Sequence, residues 1–336
     1  MNAPQPFRSQ SAGLFGPRQK RERGARIPVT VLTGFLGAGK TTILQRFLRS
    51  PEGAGTAIVV NEFGAAGIDD VLLRSSSDAV TLLGNGCVCC VTRSDLQRTL
   101  RRLVAERERG DIPDFRRVVI ETSGLADPGP VLQTFSTDRA LGGTFHVEVV
   151  ATVADAAAGV TTLDRHPEAR RQAILADVLI ITKGDLANPA PLAERLRALN
   201  PRASLVRADN GGLDPCVLIT PEASEYNPFS AETTHSDGVV SFTWTSEEPM
   251  QWPAFARAME TLTMLRGPDL LRAKGFLDVA GCQGPVLVQF VQHLAHPPVE
   301  LAAWPDGKRA SRVVFITRGI SDKQVRDLFA AVKALA

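Results

Sequence analysis

The 336-residue chain has no apolar run approaching the roughly 18 residues that a membrane-crossing helix needs. It has no surplus of one charge either, since 38 Lys and Arg oppose 36 Asp and Glu for a net +2. So balanced a chain gives no footing for nucleic acid or for a lipid surface, and neither is expected as a partner. An even, spaced set of cysteines is also missing. There are five, an odd number, and three of them crowd into positions 87–90. That excludes the disulfide framework of a small secreted protein and suits a reducing compartment, so the cytoplasm is the expected location. The five His residues are scattered, without a His-rich tract, and there is no internal repeat.

What is present is an ordinary globular composition, 44% apolar and 22% charged. At about 150 residues per domain the length predicts two domains, each able to bury its own core. The charge is unevenly spread. Residues 1–26 hold Arg8, Arg18, Lys20, Arg21, Arg23 and Arg26 against Glu22, and also Pro4, Pro6, Gly13, Gly16 and Pro17. They read as a flexible basic tail on a slightly acidic body. The tail has no apolar central stretch, so a secretory signal is not expected; its Arg and Ser content leaves an organelle transit peptide open. A second break at 208–238, with Asn210-Gly211-Gly212, Asp214-Pro215, Asn227-Pro228 and Asp237-Gly238, reads as a linker.

Between these breaks, residues 27–207 alternate short β-rich runs with helical stretches. The runs are Val29–Thr33, Thr56–Val60, Arg117–Glu121, Val147–Val153, Val178–Thr182 and Ala203–Arg207. The clearest helix places Leu96, Leu100, Leu103 and Val104 on one face. The expected fold is α/β, a mainly parallel sheet covered on both faces, with ligands at the carboxyl ends of its strands. Residues 239–336 predict a smaller α+β domain with strands at Val239–Trp244, Phe276–Ala280, Val286–Val291, Val299–Trp304 and Val313–Thr317. Helices are expected at 251–265 and 322–334, the second opened by a Ser321/Gln324 capping box.

Three motifs point to a nucleotide. Gly34-Phe35-Leu36-Gly37-Ala38-Gly39-Lys40-Thr41 fits GxxxxGK[ST], follows a strand, and precedes a helix bearing Ile43, Leu44, Phe47 and Leu48. This predicts a P-loop. Its backbone N–H groups, with those of Thr42 in the first helical turn, cradle phosphates. Lys40 would reach the β- and γ-phosphates, and the Thr41 hydroxyl would hold Mg²⁺. The strand Arg117–Ile120 then delivers Glu121-Thr122-Ser123-Gly124. Glu121 would meet the magnesium directly or through water, and Gly124 would offer an N–H to the γ-phosphate. Asp127-Pro128 reads as the next helix cap. On a later strand, Thr182-Lys183-Gly184-Asp185 approaches the NKxD pattern of GTP-binding proteins. Asp185 can accept from guanine N1–H and its exocyclic amine, a paired edge that adenine lacks. Lys183 would pack its stem along the base.

The unusual feature is Gly84-Asn85-Gly86-Cys87-Val88-Cys89-Cys90. Three thiolates suit Zn²⁺ or another soft or borderline ion and leave one tetrahedral position open, as befits an ion that must leave. Three buried small hydrophobes, or a redox role, are the alternatives. Glu62, in Asn61-Glu62-Phe63-Gly64, is a second-tier metal ligand, for magnesium or for the carried ion. Cys216 and Cys282 are expected as packing residues.

In their order, these motifs resemble the CobW-like family of metallochaperone GTPases over about residues 27–335. The resemblance implies GTP hydrolysis coupled to transfer of zinc, or in some branches cobalt, to a metal-requiring client protein. Cys87, Cys89 and Cys90 would then be the transfer site. Ala65 departs from the acid that many relatives carry after Asn-Glu-Phe-Gly, which puts any auxiliary site using that acid in doubt. Two other readings stand beside it: a P-loop kinase or ATPase with incidental cysteines, and a GTP-binding metal buffer or switch without delivery. A homo-oligomer is compatible with either. The second domain carries no chemistry of its own and is assigned to client or partner binding.

Overall fold

The computed structural model describes residues 26–61, 72–74, 80–82, 93–201, 203–208, 212–219, 233–234, 239–291, 294–295, 298–304 and 307–334. Cys87, Cys89, Cys90, Glu62 and Ala65 lie outside these residues, as does the basic tail before Arg26. The chain divides into two compact units at Glu225/Tyr226.

The first unit is built on β1 (Ile27–Gly34), α1 (Lys40–Arg49), β2 (Thr56–Asn61), β3 (Leu72–Arg74), β4 (Val80–Leu82), α2 (Arg93–Arg109), β5 (Arg117–Thr122) and α3 (Gly129–Thr137). It continues through α4 (Arg139–Thr144), β6 (Phe145–Asp155), α5 (Gly159–Arg165), α6 (Pro167–Leu175), β7 (Val178–Thr182), α7 (Ala190–Leu199) and β8 (Ser204–Ala208). The sheet order is β4-β3-β2-β5-β1-β6-β7-β8. From β2 to β8 every pairing is parallel, as the sequence predicts. The central strands Val118–Ile120, Val149–Val153 and Val178–Ile181 are β-branched runs rather than alternating patterns. That is the signature of a sheet buried on both faces, and these strands are almost wholly buried. The α1 residues Ile43, Leu44, Phe47 and Leu48 pack on it, and the α2 residues Leu96, Leu100 and Leu103 are buried.

Two features of this unit were not legible. β3 and β4 add an antiparallel edge to β2, each only three residues long and too short for periodicity to flag. The expected linker is also not uniform. Its short 3-10 turn, Pro215–Leu218, buries Val217 and Leu218 in the core beneath the sheet. There Thr30 Oγ1 donates to Leu218 O at 2.6 Å.

The second unit holds β9 (Thr233–Thr234), β10 (Val239–Ser246), α8 (Trp252–Arg266), β11 (Leu270–Leu277) and β12 (Val286–Val291). After them come β13 (Leu294–Ala295), β14 (Val299–Glu300), β15 (Ser311–Arg318) and α9 (Asp322–Ala334). Its sheet is antiparallel, ordered β13-β12-β11-β15-β10-β9, with β14 on β12. Phe242, Trp244, Phe290 and Phe315 from the sheet meet Phe255 of α8 and Phe329 of α9 in one core. The strand expected at Phe276–Ala280 begins earlier, at Leu270, because Arg272 and Lys274 interrupt its apolar pattern. Of Val299–Trp304, only Val299–Glu300 pairs as strand.

Candidate nucleotide site

The carboxyl ends of β1, β5, β6 and β7 bring the predicted nucleotide residues together. Register sets Leu32 beside Glu121, Gly34 beside Val153, and Asp155 beside Thr182. The chain leaves β1 at Gly34 with φ +142°, and a Cβ there would lie 2.3 Å from Val153 O. Only glycine fits this exit. Gly37 and Gly39 also adopt positive φ, and Gly39 immediately precedes α1. The first turn of α1 carries no acidic residue. Its N-terminal partial charge therefore meets no acid from the helix's own first turn, which suits an anion site.

Lys40 is buried at 9% exposure, its Nζ donating to Gly34 O at 2.9 Å and Phe35 O at 3.2 Å. The P-loop thus wraps over the ammonium. Ala38 is buried, Leu36 is exposed, and Phe35 packs its ring 4.4 Å from that of His166. Thr41 and Thr42 stay exposed at the start of α1. The Thr41 hydroxyl donates to Glu121 Oε1 at 2.9 Å, across 80 residues of sequence. Behind it, Thr122 Oγ1 donates to Thr33 Oγ1 at 2.8 Å and locks β5 to β1. Gly124 lies against the P-loop so closely that a Cβ would fall 2.6 Å from Leu36 N.

At the end of β7 the Thr182 hydroxyl donates to Ala38 O at 2.7 Å. Lys183 follows with φ 57°, the sole non-glycine residue at positive φ among the described residues. Its Nζ reaches Asp155 Oδ2 at 2.5 Å. Asp155 Oδ1 in turn accepts from Ala157 N at 2.7 Å, closing the turn after β6. Asp185 is exposed on the adjoining loop.

Sequence reasoning missed three contributors. Asp155 anchors Lys183, and its one signal was an acid ending a β-rich run. Gln172 and Arg171 of α6 grip the loop after Glu121, and no local pattern marks them. The expected cap after that loop is present, since Asp127 Oδ1 accepts from Gly129 N at 2.8 Å.

Among the described residues no group of three or more His, Cys, Asp or Glu forms a metal centre. Cys282 is buried, and burial first, then Glu300 and Asp278, push its thiol up to about 11. Cys216, expected as a packing residue, is exposed instead. Asp214 accepts from Cys216 N at 2.9 Å and starts the 3-10 turn, which gives the inward positions to Val217 and Leu218.

Comparison with known proteins bears on the whole chain. Residues 28–207 match the CobW/HypB/UreG nucleotide-binding domain, and residues 239–333 match the cobalamin synthesis protein cobW C-terminal domain. The zinc chaperone YjiA of Escherichia coli is 33% identical over 316 residues, covering 91% of this chain and 99% of that protein. The zinc chaperone CobW of Pseudomonas aeruginosa is 32% identical over 335 residues, covering 87% and 88%. The crystal structure of Zn(II)-bound YjiA GTPase from E. coli superposes with a TM-score of 0.68 at 29% identity, covering 91% of this chain and 99% of that one. A P-loop, an acid held against its threonine, and two consecutive matched domains make this chain a member of the CobW/HypB/UreG family, with a CobW C-terminal domain.

Proposed function

We propose that the protein is a GTP-hydrolysing metallochaperone that carries zinc on Cys87, Cys89 and Cys90 and passes it to a client protein. The observation that carries the nucleotide part is the 2.9 Å contact between Thr41 and Glu121. It sets a hydroxyl and a carboxylate side by side at a helix N-terminus, a hard-oxygen pair suited to Mg²⁺. Those two residues would hold the ion, which would neutralise charge on the β- and γ-phosphates. Lys40 lies within the same loop, so that its ammonium can exchange loop carbonyls for phosphate oxygens. Gly124 would supply an N–H to the γ-phosphate. Asp185 would select guanine, with Lys183 steadied beneath the base by Asp155. No in-line base stands out among these residues, so turnover without a client is expected to be slow.

Membership of a family that includes proteins named as zinc chaperones supports the choice of metal. The three thiolates support it chemically and leave one tetrahedral position for a client's ligand. The nucleotide reading is tested by competition binding and by hydrolysis of GTP against ATP, with and without Mg²⁺. GTP should be preferred by about a hundredfold or more. Asp185→Ala should erase most of that preference. A preference for ATP would overturn the guanine assignment.

A further inference from the structure

We infer that Gln172 is a positioning residue for the γ-phosphate response, holding Gly124 against the P-loop from the far side. This rests on the GTPase reading above. The Gln172 side chain is 1% exposed. Its Nε2 donates to Gly124 O at 3.1 Å and to Ala126 O at 2.9 Å. Two carbonyls can be served only by the NH₂ end, so the amide orientation is fixed by its partners. Its Oε1 is buried with no hydrogen-bond partner among the described residues. The amide is thus committed to the loop and to nothing else described.

The neighbouring residue repeats the grip. Arg171 Nη1 pairs with Asp127 Oδ2 at 2.7 Å. Successive residues of α6 therefore hold three points of the segment 124–127. The helix itself is fixed, because Thr152 Oγ1 on β6 donates to Gln172 O at 2.6 Å in the buried interior. On its other side Gly124 has no slack, since a Cβ there would already meet Leu36 N and Cα at 2.6 and 2.8 Å. The glycine expected to sense the γ-phosphate is caught between the P-loop backbone and the Gln172 amide. Its N–H is placed before nucleotide arrives, and hydrogen bonding to a triphosphate needs little rearrangement.

A residue that only fills space would support all nucleotides equally. A positioning residue should matter for the third phosphate alone. The test uses Gln172→Met, which keeps the length and loses both hydrogen bonds, in the full chain with Mg²⁺. Affinities for GDP and for a non-hydrolysable GTP analogue are measured together with kcat for GTP. Affinity for the analogue should fall about tenfold, as losing two buried hydrogen bonds implies, with kcat falling alongside. GDP affinity should stay within about twofold of wild type. Arg171→Gln, at a partly exposed position, carries the same test if the first variant does not fold, with a smaller loss of the same sign. Equal losses for GDP and analogue, or no loss, overturn the inference while wild-type hydrolysis leaves the functional reading intact. Wild type that hydrolyses neither GTP nor ATP overturns both.

Discussion

The hydroxyl of Thr182 donates to the carbonyl of Ala38 at 2.7 Å, joining the end of β7 to the middle of the P-loop. Both groups are buried, and the residues stand 144 positions apart in sequence. The strand that leads to Asp185, the residue proposed to select guanine, is thereby tied to the loop that would hold the phosphates. Thr182→Val keeps the shape and leaves a buried carbonyl without this donor. Such a loss costs about 1–3 kcal/mol. Nucleotide titrations should show GTP and GDP weakened alike, by about tenfold. A loss confined to GTP would contradict this role.

Thr41→Ala removes the donor to Glu121 Oε1. Mg²⁺-dependent hydrolysis should fall by about a hundredfold or more, as when one preorganised transition-state contact is deleted. GDP binding without Mg²⁺ should be nearly unchanged. Steady-state phosphate release and a magnesium titration check both halves.

Gly34 and Gly37 separate backbone strain from crowding. Each has positive φ, but a Cβ at Gly34 would lie 2.3 Å from Val153 O, whereas at Gly37 nothing lies within 4 Å. Gly34→Ala should destabilise the first unit by about 3 kcal/mol or more, combining backbone strain with a clash. Gly37→Ala should cost only about 1–2 kcal/mol, the backbone penalty alone. Urea unfolding of the two variants measures the difference.

The two isolated thiols should differ sharply in reactivity. Burial first, and then Glu300 and Asp278, raise the Cys282 thiol to about 11. A raised thiol pKa keeps the neutral form, so at pH 8 only about one Cys282 in a thousand is thiolate. Cys216 is exposed. In a chain with Cys87, Cys89 and Cys90 changed to Ser, iodoacetamide should label Cys216 quickly and Cys282 only on unfolding. Mass spectrometry of the labelled peptides decides it.

What could be read from the sequence was what is encoded locally. The P-loop declares itself because its glycines, lysine and threonine act within eight residues. The cap of α9 was equally readable: Ser321 N donates to Gln324 Oε1 at 2.9 Å, and Gln324 N donates back to Ser321 Oγ at 3.3 Å. Gln172 was invisible because its partners lie 46 and 48 residues away, and a buried glutamine has no spacing rule. Val217 and Leu218 were hidden by the Asp-Pro and Gly-Gly signals around them, which mark a turn but not where it packs. β11 was misplaced by Arg272, a buried cation, and Lys274, which interrupt a strand that sends Leu270, Ala273 and Leu277 into the core. Cys87, Cys89 and Cys90 lie outside the described residues, so their role rests on residue chemistry and on the family.

The central claim, that GTP hydrolysis governs a thiolate-held zinc, is tested most directly by following zinc transfer. The chain is loaded with one equivalent of Zn²⁺, and transfer to an apo-client is compared with GTP and with a non-hydrolysable analogue, each with Mg²⁺. Wild type should transfer faster with GTP, and the Cys87, Cys89, Cys90→Ala variant should hold no tightly bound zinc to transfer. Equal transfer under both nucleotides, or undiminished zinc affinity in the triple variant, would contradict the account.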